Sequence, residues 1–342
     1  MYFRKNIYLV AILLSVLTNA SYALEYNLSD WSVKLSGYGT AGMIEPDLET
    51  PLFIGDWRVR AQMMRDLSAD AKFGFVYAMD AVAADKNDWA REAFVLMEYN
   101  SLGRIEVGLT DSVARKLGLG LPDVGGLRIN DRPLYNEKIV PSGAVIADTV
   151  LTSGRTNALR LNLVSVPINS VQYGVSVAGL ADNYDGAFDI GLKIRRSEGK
   201  IKTAYSFGVS LINHPDDFDN EIYTPGVTAD WRSQMSVAMN VQYNSWIWGV
   251  SGRVIYDKDP IGEISDGFVF GTGLSYDVLK YSVSLTYMLS DTGVWQRDVS
   301  NYIDNTLVAS FRYKYSENVD CWISGGSTAK TPFISAGLRL VF

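Results

Sequence analysis

Apolar and polar residues alternate with a period of two along almost the whole chain, and that pattern admits few folds. Met235, Val237, Met239, Val241 and Tyr243 share one parity, with Ser236, Ala238, Asn240 and Gln242 between them. Trp246, Trp248, Val250, Val254 and Tyr256 oppose Gly249, Ser251, Arg253 and Asp257 in the next segment. Tyr281, Val283, Leu285, Tyr287 and Leu289 likewise oppose Ser282, Ser284, Thr286 and Ser290. Successive side chains of a strand point to opposite faces, so each segment reads as a strand with one strongly apolar face and one small or polar face. A soluble sandwich alternates as well, which leaves two architectures open at this point.

Three features separate them. The segments run about ten residues, the length a tilted strand needs to cross a bilayer. Aromatics gather near strand ends on the apolar parity, as in interfacial girdles. Connections alternate between short ones, such as Asn100-Ser101-Leu102, Asn244-Ser245 and Leu279-Lys280, and longer ones at 45–55, 110–154, 213–232, 258–265 and 292–302. Short turns at one end and long loops at the other describe an outer-membrane barrel. The expected fold class is therefore all-β, a transmembrane antiparallel barrel of about sixteen strands. The expected strands are 31–44, 56–66, 70–82, 89–99, 103–110, 155–166, 170–182, 186–196, 200–212, 233–243, 246–257, 266–278, 280–291, 304–315, 318–326 and 332–342. The stretch 224–231 reads as either strand or loop.

Residues 1–23 read as a cleavable signal peptide: Arg4 and Lys5, an apolar run over 7–17, then Ser21-Tyr22-Ala23 before Leu24. That run is too short for a bilayer core, which takes roughly 20 residues as helix. The exported unit is then 24–342, one barrel domain. After the leader no apolar run is long enough for a membrane helix, although 47% of residues are hydrophobic. Net charge is −7, and loss of a leader bearing Arg4 and Lys5 makes it more acidic. That balance argues against a nucleic-acid partner, for which a basic face is expected. The single cysteine, Cys321, excludes an intramolecular disulfide.

Two stretches carry a family resemblance. Arg91-Glu92-Ala93-Phe94-Val95, followed by Leu102-Gly103-Arg104-Ile105-Glu106-Val107-Gly108, is similar to the strand, short turn and Gly-ending strand that precede the constriction loop of the Gram-negative general porins. Pro122-Asp123-Val124-Gly125-Gly126 resembles that loop's Pro-x-x-Gly-Gly motif, and the chain ends in Phe342, as the family's does. The opening strand, Val33 to Gly39 with its Tyr38-Gly39 pair, is similar more loosely. The resemblance implies a water-filled diffusion channel for small hydrophilic solutes and ions, assembled as a homotrimer among outer-membrane lipid and lipopolysaccharide, with no cofactor. It also implies that the long loop folds inward and that its acids face a basic wall.

On that basis the expected constriction residues are Arg58, Arg60 and Arg91 on the wall, with Asp123, Asp131 and Glu137 on the loop. Arg91 is placed there by resemblance, Arg58 and Arg60 by parity. Lys34, Lys72, Arg160, Arg253, Arg312 and Arg339 share the lumen parity, and charges there favour water. With an acidic chain but an arginine-rich wall, the expected selectivity is slight and leans to cations. Rival readings remain: a non-channel surface barrel such as an adhesin, or a barrel enzyme. The enzyme would need a histidine base, and the only histidine is His214, in the loop sequence Asn213-His214-Pro215-Asp216-Asp217. Asp216, Asp217 and Asp219 could bind a cation through oxygens, but a solvated acidic loop explains them as well.

Overall fold

Period-two patterning turns into structure at the tight turns. At Ile168-Asn169-Ser170-Val171, Asn169 and Ser170 both take positive φ, 49° and 69°, and Ile168 and Val171 exchange backbone hydrogen bonds of 2.8 and 2.9 Å. This is the primed two-residue hairpin, whose twist matches that of the flanking strands. The turns at 244–245 and 279–280 also use a left-handed residue, Asn244 and Leu279.

The computed structural model describes residues 24–46, 52–82, 91–125, 159–179, 186–213, 231–258, 264–291, 303–328 and 331–342. The strands are β1 (Leu24–Leu28), β2 (Trp31–Pro46), β3 (Leu52–Asp66), β4 (Ala71–Val82), β5 (Arg91–Tyr99) and β6 (Gly103–Leu109). There follow β7 (Leu159–Ser165), β8 (Val171–Ala178), β9 (Ala187–Glu198), β10 (Ile201–Asn213), β11 (Trp231–Tyr243) and β12 (Trp246–Lys258). The last are β13 (Ile264–Val278), β14 (Tyr281–Asp291), β15 (Ile303–Lys314), β16 (Val319–Thr328) and β17 (Thr331–Val341). A short helix, α1 (Val113–Leu117), stands in the segment after β6.

Each strand from β2 to β17 pairs antiparallel with the next, and β17 pairs back onto β2, for example Leu338 with Ala41. The result is a closed barrel of sixteen strands, as expected from the alternation. Closure leaves no strand edge unpaired in lipid. The sequence reading missed β1. Its five residues pair with β2 from Leu24↔Leu35 to Leu28↔Trp31, along the edge left where β17 stops. Phe342 closes that edge by exchanging backbone hydrogen bonds with Gly37, 2.8 and 2.9 Å.

Burial separates the two faces. Phe75, Val95, Val107, Phe207, Val237, Phe270, Leu285 and Leu307 are exposed on the outward parity. Their inward neighbours Val76, Leu96, Glu106, Ser236, Thr286 and Val308 are buried. Aromatics cluster toward the tight-turn ends: Trp246 against Tyr276 with ring centroids 4.3 Å apart, and Tyr281 against Tyr313 at 5.3 Å. Such a ring fits the headgroup level, where an apolar body meets a polar tip. Among the described residues no helix is long and apolar enough to cross a membrane.

Candidate functional site

The segment after β6 runs inside the barrel, and its anchors can be followed strand by strand. Gly108, with φ +140°, lets β6 lie against Ala93 and Phe94 before the chain leaves the wall. Ser112 caps α1 by accepting from the Arg115 N–H at 3.3 Å. The Val113 N–H donates to Ser176 Oγ on β8, which donates to Asp189 on β9 at 3.1 Å, itself in a buried ion pair with Arg160 on β7 at 2.9 Å. A Cβ at Gly191 would stand 2.8 Å from the Val113 carbonyl, so α1 rests directly on β9.

The chain then crosses the wall in extended form. The Leu119 N–H donates to Ser206 Oγ on β10 at 3.0 Å, and Asn240 on β11 donates to the Gly120 carbonyl at 3.1 Å. Pro122 lies on Gly249 of β12 and Gly273 of β13. On β14 Thr286 donates to the Pro122 carbonyl at 3.3 Å, and Ser284 accepts from the Val124 N–H at 3.0 Å. Gly125 reaches the hydroxyls of Ser310 on β15 and Ser324 on β16. Residues 111–125 thus lie along the inner faces of ten consecutive strands. The small inward residues of those strands are the seat, because a larger side chain would meet the loop backbone.

At the launch point, Lys116 of α1 makes an ion pair with the buried Glu106 of β6 and a 2.6 Å hydrogen bond to Thr110. Glu106 also pairs with Arg104 at 2.8 Å and accepts from Asn162 at 2.8 Å. The Lys116 ammonium stands 4.9 Å from the centre of the Phe94 ring, and the Arg60 guanidinium 5.9 Å from it. Phe94 packs with Val76, Leu96 and Met64 on the inward side of β3–β5.

The expected site residues fall into four groups. Arg58 and Arg60 point inward together from β3, with Glu92 of β5 between them at 2.8 and 3.7 Å. Asp123 sits at the loop–wall contact, accepting from Ser284 at 2.9 Å and from the Gly125 N–H at 3.2 Å. Loss of water around it pushes its carboxyl above the ordinary range, and its hydrogen bonds to Gly125, Ser284, Ser310 and Val124 pull the other way. Asp131 and Glu137 lie outside the described residues, as do 1–23, His214, Asp216, Asp217, Asp219 and 224–230, whereas Trp231, the last residue of the stretch that reads as either strand or loop, begins β11. Among the described residues no group of three potential metal ligands occurs.

Arg91 departs from the wall expectation. It pairs with Met79 on the parity of Ala93 and Val95, whereas Glu92 pairs with Ala78 at the inward position. The strand is apolar on both parities there, because Phe94 and Leu96 pack inward, so alternation could not assign its sides. Lys34, Arg58, Arg60, Lys72, Arg160, Arg253, Arg312 and Arg339 do occupy inward positions. The sequence reading missed Lys116, Glu106, Glu92 and the Gly/Ser seat. The seat's signal was present as glycine and serine recurring on one parity of β8–β16, read only as small or polar.

A family model described as Gram-negative porin matches residues 9–328. The chain belongs to that family. Among solved structures this porin is similar to OmpT of Vibrio cholerae in its trimer form, at 10% identity over 92% of this chain and 100% of the other, with a TM-score of 0.68. It is similar to Salmonella typhi OmpF, solved with daunomycin, at 11% identity over 93% and 100% of the two chains and a TM-score of 0.64. An anion-selective porin from Comamonas acidovorans matches at 14% identity, 91% and 100% coverage and a TM-score of 0.60. At such identities the likeness speaks for the fold alone. No curated protein matches the chain. A closed barrel of this width leaves an aqueous lumen, and the porin is an outer-membrane diffusion channel.

Proposed function

We propose that the segment 110–125 sets the constriction, and that solutes pass between it and the wall made by β17 and β2–β5. The observation that carries this reading is the loop's attachment to the inner faces of β7–β16. It fills that side of the lumen and leaves Arg58, Arg60 and Glu92 on the other. In this reading Arg58 and Arg60 form the basic wall and Glu92 offsets part of their charge, while Asp123 anchors the loop. Asp131 and Glu137, further along the sequence and outside the described residues, are the candidates for the remaining acids of the loop.

Selectivity follows local charge more than net charge. The partial neutralisation of the arginines by Glu92, within an acidic chain, supports a slight cation preference. The test is the reversal potential of the purified porin in a planar bilayer under a salt gradient. A small potential of cation-selective sign is expected, and a clearly anion-selective sign overturns the preference.

The same proposal makes the protein a homotrimer with no catalytic role, exported by cleavage before Leu24. The family supports the first two points, and a neighbour solved as a trimer adds to the first. Outer-membrane phospholipid and lipopolysaccharide are the partners of the apolar outer face.

A further inference from the structure

The β9–β10 hairpin carries an unusual charge balance. Lys193, Arg195, Arg196, Lys200 and Lys202 stand within ten residues whose single acid is Glu198. None of these five cations has a carboxylate within ion-pair distance among the described residues. Several inward cations elsewhere toward the tight-turn ends are paired: Lys72 with Asp66 at 3.2 Å, Arg104 with Glu106 at 2.8 Å, Arg312 with Asp277 at 3.5 Å and Arg339 with Asp320 at 2.8 Å.

Register makes this a concave patch. Lys193 pairs with Ser206, Arg195 with Ala204 and Lys202 with Ser197, all at inward positions. Each cation thus faces a small residue across the ladder; Arg195 and Lys202 stand on the diagonal, within reach of long side chains, and Lys193 is two residues along the strand from Arg195 on the same face. Gln172 flanks Lys193 and Gln242 flanks Lys202. The inward positions of this end of β8–β11 hold no carboxylate: Gln172 and Gly174, Lys193, Arg195 and Ser197, Lys202, Ala204 and Ser206, then Ala238, Asn240 and Gln242. Ser206 also accepts the Leu119 N–H, so the patch begins directly beside the constricting loop. Residues 195–198 extend past the start of β8, whose Val171 pairs with Ile194, so the hairpin tip projects from the tight-turn, periplasmic rim.

We propose that Lys193, Arg195 and Lys202, with the hydroxyls of Ser197 and Ser206, form a subsite for a phosphate-type oxyanion at the periplasmic mouth of the channel. Uncompensated like charges this close repel, and a multivalent anion relieves that repulsion while accepting several charge-assisted hydrogen bonds. The inference deepens the channel reading, because the subsite lies on the solute path just past the loop. Arg196 has outward parity and is not part of it. The same phosphate chemistry could come from a lipid headgroup at Arg196, and the test distinguishes the two sources.

The probe is inorganic pyrophosphate, titrated calorimetrically into the full-length folded porin in detergent at low ionic strength. Saturable binding is expected, together with a rise in heat stability, since a ligand of the folded state alone stabilises it. The variant K193Q/R195Q/K202Q should weaken binding about tenfold or more, as expected for loss of charge-assisted bonds. R196Q should bind as the wild type does, and R195Q alone, at an exposed position, should give a smaller loss should the triple variant fail to fold. In a planar bilayer, pyrophosphate should reduce current more from the tight-turn side than from the other. Equal binding by the wild type and the triple variant, or by the wild type and R195Q if that variant alone folds, overturns the subsite. Loss on R196Q with retention in the others would assign the phosphate to the lipid-facing side instead. A porin that conducts but does not bind pyrophosphate would sink the subsite and leave the channel intact.

Discussion

The Ser284 hydroxyl donates to Asp123 over 2.9 Å, joining the inner loop to the β14 wall across 161 residues of sequence. The same hydroxyl accepts the Val124 N–H, so one wall residue holds two points of the loop. Ser284→Ala removes both and should weaken the loop's seating by about 1 kcal/mol per bond. The barrel's own ladder is untouched. The expected outcome is unchanged heat-modifiability on gels with noisier, larger single-channel steps.

Asp123 also makes the seating pH-dependent. Its carboxyl is raised in the seated loop, chiefly through loss of water. A raised folded-state value means that the seated form binds the proton more tightly. Seating is therefore favoured most below the ordinary aspartate range and loses that contribution as pH rises through the raised value. Hydrogen exchange of the Leu119, Val124 and Gly125 amides should be slower at mildly acidic pH, after correction for intrinsic rates. Asp123→Asn should flatten that dependence, and a dependence that persists unchanged in the variant would assign it elsewhere.

On the wall, Arg58 and Arg60 share Glu92. R58Q/R60Q should move the reversal potential toward cations and Glu92→Gln should move it toward anions, each severalfold in permeability ratio and less at high salt, as charges facing water are screened. Opposite signs for the two variants are the required result.

Leu279 is 95% exposed and holds φ at +52° in the β13–β14 turn, a region that suits glycine or asparagine. Leu279→Asn should raise resistance to urea by up to about 1 kcal/mol, because it relieves backbone strain without removing a packed side chain. The check is the midpoint of unfolding from lipid vesicles.

The barrel was legible because lipid and water impose opposite demands on alternate residues, and a period of two records those demands in sequence. The segment Met235 to Tyr243 shows it: its outward residues are apolar and its inward ones small or polar. Legibility failed where the inside is not uniformly wet. Phe94 and Leu96 face inward against Val76 and Met64, so β5 lost its alternation and the side of Arg91 could not be read. β1 was too short for any period to register. The loop's seat was visible only as recurring Gly and Ser, since what makes them a seat is the distant segment 111–125 that lies on them. Glu106 and Lys116 are ten residues apart, and their pairing depends on a single helical turn folding back over β6.

The central claim is a water-filled channel narrowed by a loop bound to its own wall. Single-channel conductance of the purified full-length porin in a planar bilayer tests it most directly, with Ser284→Ala beside the wild type. Ohmic steps grouped in threes, larger and noisier in the variant, are predicted. A folded, heat-modifiable barrel that stays electrically silent would contradict the claim.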